Sequence, residues 1–195
     1  AQPHEPHPQS ERHPGMNRRF FIQTTAVVAA TPLLALEKAA ESIDVNFATG
    51  PWPFRKLPKL DGEALKQRGI TQAITGSLEA LLTRDIAVVN ARLASACKQS
   101  GGVMLPAGTL HPRLPAWRED LRRCREEHGM KVIRLHPNYH GYQLDEPLFA
   151  EMLDAILEAG LAVQIAAQME DQRTQHPLVQ VAPVDLKPLH DLLQA

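Results

Sequence analysis

The chain has 195 residues, with 21 Lys and Arg against 22 Asp and Glu, nine His and two Cys, and 44% of its residues are apolar. A net charge of −1 excludes a nucleic-acid module built on a basic surface and an acidic disordered tail. Two Cys are too few for a disulfide scaffold or a multi-Cys zinc cluster. The composition indicates an ordinary globular chain of one or two domains.

The chain opens with two segments that we do not expect to belong to the folded domain. Residues 1–15 hold four Pro and three His, and so many Pro oppose regular structure, which predicts a disordered leader. In residues 16–40, two adjacent Arg are followed by bulky apolar side chains and by an apolar run of eleven residues, Ala26 to Leu36. That run is too short to span a bilayer comfortably and is typical of an export signal.

The Arg pair, Arg18 and Arg19, resembles the twin-arginine signal. The resemblance implies an exported, periplasmic protein with no membrane segment in its mature form. The alternative is a short amphipathic helix with two solvated Arg.

Five apolar runs of β-type composition alternate with helical patterns in the rest of the chain. Their starts lie 28, 31, 29 and 30 residues apart. Strands that alternate with helices at such a spacing indicate βα units and a parallel sheet. The predicted strands cover 43–48, 71–75, 102–108, 131–136 and 161–167.

Helices are predicted between and after these strands. A short one lies near 61–68, and the next is capped by Thr83 and ended by two Gly. A third covers 115–128, with Pro in its first turn and Gly just past its end. The fourth is capped by Asp145, and a last one lies near 185–194.

The length decides between two α/β architectures for residues 41–195. An eight-unit barrel at this spacing needs about 240 residues, whereas the sequence offers five βα units. An open, doubly wound sheet would carry a Gly-rich first turn, and the sequence after the first strand, TGPWPFRKLP, has none. We therefore expect a partial (β/α)8 TIM barrel with about five of its eight units.

Chemistry in such folds lies at the carboxyl ends of the strands. The end of strand four is the densest, with Arg134, His136, Asn138 and His140 within seven residues. Imidazole acts as acid, base or ligand near neutral pH, so we predict a site here, with His136 catalytic and the other three contacting the substrate. The alternative is a polar loop whose side chains satisfy buried backbone groups.

The end of strand five places Glu170, Asp171, Arg173 and His176 together. Paired carboxylates can divide acid and base roles, so both are candidate catalytic residues, while Arg173 and His176 are candidate substrate contacts. The alternative is a solvated loop of salt bridges. Further candidate contacts at other strand ends are Asn46, Arg55 and His111.

Signals for a nucleophile are weak. Ser77 follows Gly76, but no G-x-S-x-G motif is present. Cys97 and Cys124 fall on apolar helix faces, where buried thiols are the usual outcome. The sequence alone leaves open whether they pair.

Three stretches resemble the amidohydrolase-related proteins of the metal-dependent-hydrolase TIM-barrel superfamily. They are RLHPNYHGYQLDEPLF, VQIAAQMEDQRTQHPL and the opening IDVNFATGPWPF. The resemblance covers 43–195, about the first five-eighths of that fold. It implies hydrolysis of amides, esters or lactones, or decarboxylation of aromatic acids in some branches. It also implies one or two divalent metals, usually zinc, at the barrel mouth.

The metal ligands that the resemblance implies are absent from this sequence. Asn46 and Ala48 stand where the family has the H-x-H of strand one, and Ala166 stands near its strand-five His. Asn is a poor zinc ligand, and the later ligands would lie beyond Ala195. We therefore predict no metal ligands in this chain, and the cofactor stays open.

Three hypotheses follow. The first is an atypical hydrolase acting on a small anionic ester, lactone or amide, with a small-molecule substrate and no nucleic-acid partner. The second is a barrel that binds a small ligand without catalysis. The third is a non-functional fragment with an unpaired sheet edge. The oligomeric state is not indicated by the sequence.

Overall fold

Five parallel strands form a single sheet in the order β1-β2-β3-β4-β5. The structure is a computed structural model that describes residues 42–194, so the predicted leader and export signal lie outside the described residues. Because each strand pairs in parallel with the next one along the chain, the sheet is the first five units of a barrel. The predicted α/β fold and all five strands are confirmed: β1 (Ser42–Thr49), β2 (Ile70–Ser77), β3 (Met104–Gly108), β4 (Val132–Leu135) and β5 (Ala162–Ile165).

Helices follow each strand. They are α1 (Gly62–Lys66), α2 (Ile86–Gln99), α3 (Trp117–Glu126), α4 (Pro137–His140), α5 (Pro147–Glu158) and α6 (Lys187–Leu192), with 3-10 turns at Leu78–Leu81 and Gln172–Thr174. Within the described part of the chain, no helix is long and apolar enough to cross a membrane.

Two predicted helix caps were wrong. Asp85, not Thr83, caps α2, since its carboxylate accepts the Val88 N–H at 3.2 Å. The N-cap residue of α5 is Glu146, not the predicted Asp145. The Glu146 carboxylate caps no N–H of the helix, because it accepts the Gln143 N–H and pairs with Arg113. Pro147 follows at the first helical position. Because proline has no N–H, one fewer backbone donor at the start of the helix needs a hydrogen-bond partner.

The helix α4 was not predicted from the sequence. It occupies the loop after β4, with Pro137 at its first position, and His136 is its N-cap residue. Gly141 ends it with a left-handed φ of 67°, as glycine readily does. This single helical turn follows the end of β4 directly and separates His136, at its start, from His140, at its end, by one turn of helix.

The core lies on the helix side of the sheet, in two clusters. Around β1 and β2, Phe47 and Ala73 pack on side chains of α1 and α2 such as Leu65 and Leu93. Around β4, Ile133 and Leu135 pack on α3 and α5. The predicted inner faces of these helices are buried: Ile86, Val89, Leu93, Trp117, Leu121, Phe149, Met152 and Ile156.

Cys97 and Cys124 are free buried thiols that belong to different core clusters. Burial raises the pKa of Cys97 to about 11 and that of Cys124 to about 12. Both thiols are therefore poor nucleophiles near neutral pH, as predicted from their helix faces.

Candidate functional site

Three imidazoles from two neighbouring strand ends meet above the sheet. The rings of His111, after β3, and His140 are parallel within 5°, and their centroids lie 4.3 Å apart. The ring of His136 stands at 76° to that of His140, at 5.9 Å. His140 Nε2 donates to the carbonyl of Ala80 at 2.9 Å. The structure thus brings together three of the candidate residues.

His136 is the most unusual of the three. It is 1% exposed, and neither of its ring nitrogens has a hydrogen-bond partner among the described residues. Burying polar groups without partners is costly. Burial, and then the nearby His140 and Arg134, lower the pKa of His136 to about 3. At neutral pH its ring is therefore uncharged, with one N–H and one lone pair unused.

The buried histidines predict acid sensitivity. The pKa of His136 falls from 6.5 in the unfolded chain to about 3 in the folded one, and that of His111 falls to about 4 through burial and then through His140. The unfolded chain therefore binds more protons between these values, so stability rises with pH there. For His136 alone, about 2 kcal/mol is lost between pH 7 and pH 5.

Urea midpoints measured across this range check the prediction. The variant His136→Gln should lose about 2 kcal/mol less than wild type between pH 7 and pH 5. A variant with the same pH dependence as the wild type would contradict the assignment. His190→Gln is the control, because this side chain is 74% exposed.

Arg134 is 1% exposed and lies on the face of the sheet opposite the helices, where its hydrogen bonds reach three other strands, β1, β2 and β5. From β4, its guanidinium donates to the carbonyl oxygens of Phe47 at 2.7 Å, Val45 at 3.3 Å and Ile74 at 2.9 Å. Its Nε donates to Gln164 Oε1 at 2.7 Å. Burial lowers the pKa of Arg134 to about 10, so the side chain stays charged at neutral pH. These bonds favour a structural role over the predicted contact with a substrate.

A separate small cleft, lined by Tyr139 from the same helical turn as His140, contains Glu170. This carboxylate is 12% exposed and pairs with Arg55 at 3.2 Å. It lines a cavity of about 60 Å³ together with Trp52 and Tyr139. The phenol oxygen of Tyr139 is buried without a partner among the described residues. Burial and then the charge of Glu170 raise the pKa of Tyr139.

The remaining candidates lie outside this cleft. Asp171 and Arg173 are exposed and pair with each other, which lowers the pKa of Asp171 and raises that of Arg173. His176 is exposed and stacks on Phe54 at 4.7 Å. Asn138 donates to the carbonyl of Ala182. The exposed Asn46 lies where the β1–β2 register shifts between Asp44 and Phe47.

Sequence reasoning left Trp52 and Tyr139 without roles. Trp52 is 8% exposed and packs edge-on against Phe54 and Tyr139, at 5.4 and 6.4 Å. The available signal was the loop after β1, PWPFRKLPKL, which combines aromatic and basic residues. Its placement over the end of β4 depends on the fold.

The residues present do not fit the metal set that the family resemblance implies. Between residues 42 and 194, no three or more His, Cys, Asp or Glu are arranged to hold a metal ion. Among the three imidazoles, His140 Nε2 donates to the carbonyl oxygen of Ala80, and His111 Nδ1 accepts the Arg113 N–H at 3.4 Å. These two nitrogens are therefore not free to bind a metal ion.

Comparisons with known proteins agree with this fold. No protein-family model and no curated protein matches the chain. Among solved structures, 2,6-dihydroxybenzoate decarboxylase from Rhizobium is 15% identical with a TM-score of 0.50, covering 74% of this chain and 56% of that one. The 5-carboxyvanillate decarboxylase of Novosphingobium aromaticivorans, solved with bound manganese, is 22% identical with a TM-score of 0.48, covering 67% and 38%.

An amidohydrolase from Mycobacterium avium subsp. paratuberculosis is 13% identical with a TM-score of 0.40, covering 53% of this chain and 32% of that one. The chain thus spans between about a third and just over half of the length of these proteins. With five parallel strands in sequential order, each followed by a helix, the described part of the chain has the fold of a partial (β/α)8 TIM barrel.

Proposed function

We propose that the protein is an amidohydrolase-related hydrolase that acts on a small anionic ester, lactone or amide. The observation that carries this proposal is His136, a buried imidazole at the carboxyl end of β4 with both nitrogens unpartnered. Such a group is costly to keep, and a bound polar group would satisfy it. Barrels of this kind bind their substrates at this end of the sheet.

The two candidate catalytic groups suit different tasks. Because its pKa is lowered to about 3, His136 stays neutral and is a weak base. A neutral imidazole can donate its N–H to a carbonyl oxygen that gains negative charge. Glu170, a largely buried carboxylate in the cleft with Tyr139, is the proposed proton acceptor. Asp171, held by Arg173 at the surface, is not part of the proposed reaction.

In the proposed reaction, water attacks the carbonyl carbon and its proton passes to Glu170. The carbonyl oxygen becomes an oxyanion that His136 stabilises through its N–H. The carbonyl then re-forms as the bond to the leaving oxygen or nitrogen breaks, and Glu170 returns the proton to the leaving atom. A lactone follows the same steps with ring opening.

The test is turnover of p-nitrophenyl esters, lactones and anilides that carry a free carboxylate, each compared with its neutral methyl ester. We expect turnover of an anionic member, and His136→Gln and Glu170→Gln should each lower kcat/KM by about 100-fold or more. Circular dichroism should show that both variants stay folded.

His190→Gln serves as the matched control, because this imidazole is on the surface, and its kcat/KM should equal that of the wild type. Absence of turnover across the whole panel, or a wild-type rate for folded His136→Gln, would refute the proposal.

A further inference from the structure

The loop between β1 and α1, together with the end of β1 and Leu78, lines a second, larger and open cavity of about 470 Å³. Its apolar walls include Phe47, Trp52 and Leu57. Three cations also line it, Arg55, Lys56 and Lys59, and none of its lining residues is acidic. The local charge therefore favours an anion, although the net charge of the chain is −1.

Arg55 lies between this cavity and the cleft of Glu170. The two cavities share four lining residues: Trp52, Arg55, Leu57 and Leu78. Arg55 is 58% exposed, whereas its partner Glu170 is only 12% exposed. A long, exposed guanidinium side chain has the reach to contact more than one partner, whereas the largely buried carboxylate is less free to move. The same Arg55 can serve either Glu170 or an anion in the larger cavity.

We propose that the larger cavity binds the anionic group of the substrate through Lys56, Lys59 and Arg55, and that Arg55 leaves Glu170 to do so. The ligand and Glu170 then compete for one guanidinium. Binding of the anion frees the Glu170 carboxylate in the cleft where the proposed hydrolysis takes place. This inference rests on the proposed function for the catalytic role of Glu170, but its binding step stands independently.

The walls define the class of ligand. Trp52 is buried and held edge-on by Phe54, which fixes one apolar wall. The cations match a planar carboxylate, which a guanidinium binds through a fork of two N–H groups. We therefore expect a carboxylate on a small apolar or aromatic body, and a neutral amide of the same shape should bind poorly.

Isothermal titration of the full chain with benzoate, benzamide and inorganic phosphate tests the inference without any turnover. Benzoate should bind, benzamide should not, and phosphate should bind less tightly than benzoate. Arg55→Met should weaken benzoate binding about tenfold, because a charged hydrogen-bond donor is lost. Glu170→Gln should strengthen it by about two- to fivefold, because the Glu170 carboxylate no longer competes for Arg55.

The double variant Arg55→Met, Glu170→Gln should bind benzoate as Arg55→Met does, since the competition needs both groups. Glu79→Gln is the matched control: this carboxylate is 25% exposed, pairs with Arg92 and lines neither cavity. It measures the general effect of removing one negative charge and should change the affinity by less than about twofold.

The inference is overturned if Glu170→Gln does not bind benzoate more tightly than Glu79→Gln. It is also overturned if Arg55→Met binds benzoate as the wild type does, or if phosphate binds more tightly than benzoate. A chain that shows the expected binding pattern but hydrolyses nothing would lose the proposed hydrolase function and keep this site. A chain that hydrolyses the ester panel without this binding pattern would keep the proposed hydrolase function and lose only the anion site in the larger cavity.

Discussion

Arg134→Met is expected to lower the free energy of unfolding by at least about 3 kcal/mol. Methionine fills a similar volume but donates no hydrogen bond, so it leaves three backbone carbonyls and the amide oxygen of Gln164 without the guanidinium. These acceptors lie on β1, β2 and β5. The loss is therefore distributed over most of the sheet, and urea denaturation followed by circular dichroism measures it.

Arg134→Lys separates charge from geometry. An ammonium is a point donor and cannot span three strands as the planar guanidinium does, so we expect nearly the same loss. Arg118→Met is the surface control: Arg118 stacks over Trp117 and pairs with Glu151 while 60% exposed. Its cost should stay below about 1 kcal/mol. A loss of that small size in Arg134→Met would contradict the structural role.

Gly76→Ala is expected to cost about 2–3 kcal/mol, although β2 backbone geometry would allow alanine. A Cβ at this position would lie 2.5 Å from Nη1 of Arg134 and 3.2 Å from its Cδ. An ordinary arginine would move aside, but this one is held by hydrogen bonds to acceptors on three strands, β1, β2 and β5. The added methyl group therefore forces those bonds to lengthen or break.

A double-mutant cycle shows whether the cost arises there. In the Arg134→Met background the crowding guanidinium is absent, so Gly76→Ala should cost less than about 1 kcal/mol. Denaturation of the two single variants and the double variant gives the coupling energy. Strictly additive losses would mean that Gly76 is required for a reason unrelated to Arg134.

The fold was predictable because burial imposes regular patterns on the sequence. The inner face of α5, with Phe149, Met152 and Ile156, repeats at helical spacing and is buried as predicted. Caps were less predictable because several residues near a helix start can compete for the same N–H groups. Thr83 and Asp85 both suit that role, and only the path of the chain decides for Asp85.

The site was predictable only as a position. Parallel strands end at the same edge of the sheet, and His111, His136 and His140, each predicted at a strand end, do lie near one another. The role of each polar residue in the site could not be predicted from the sequence. In the run Val-Ile-Arg-Leu of β4, alternation turns Arg134 away from the helices, but no local pattern shows that carbonyls of β1 lie opposite. Such partners depend on contacts far apart in sequence.

The bonds of Arg134 to β1 also constrain the order in which the chain can fold during synthesis. They join residues 87 and 89 positions apart, and the bond from Gln164 to Val45 joins residues 119 positions apart. A nascent chain that ends before β4 can hold β1 through its ladder with β2 and through the packing of Phe47 on α1 and α2, but not through Arg134 or Gln164. Contacts of such high sequence separation form slowly. Of the five described strands, β1 is the first to be synthesised and is therefore among the last to reach its complete set of contacts.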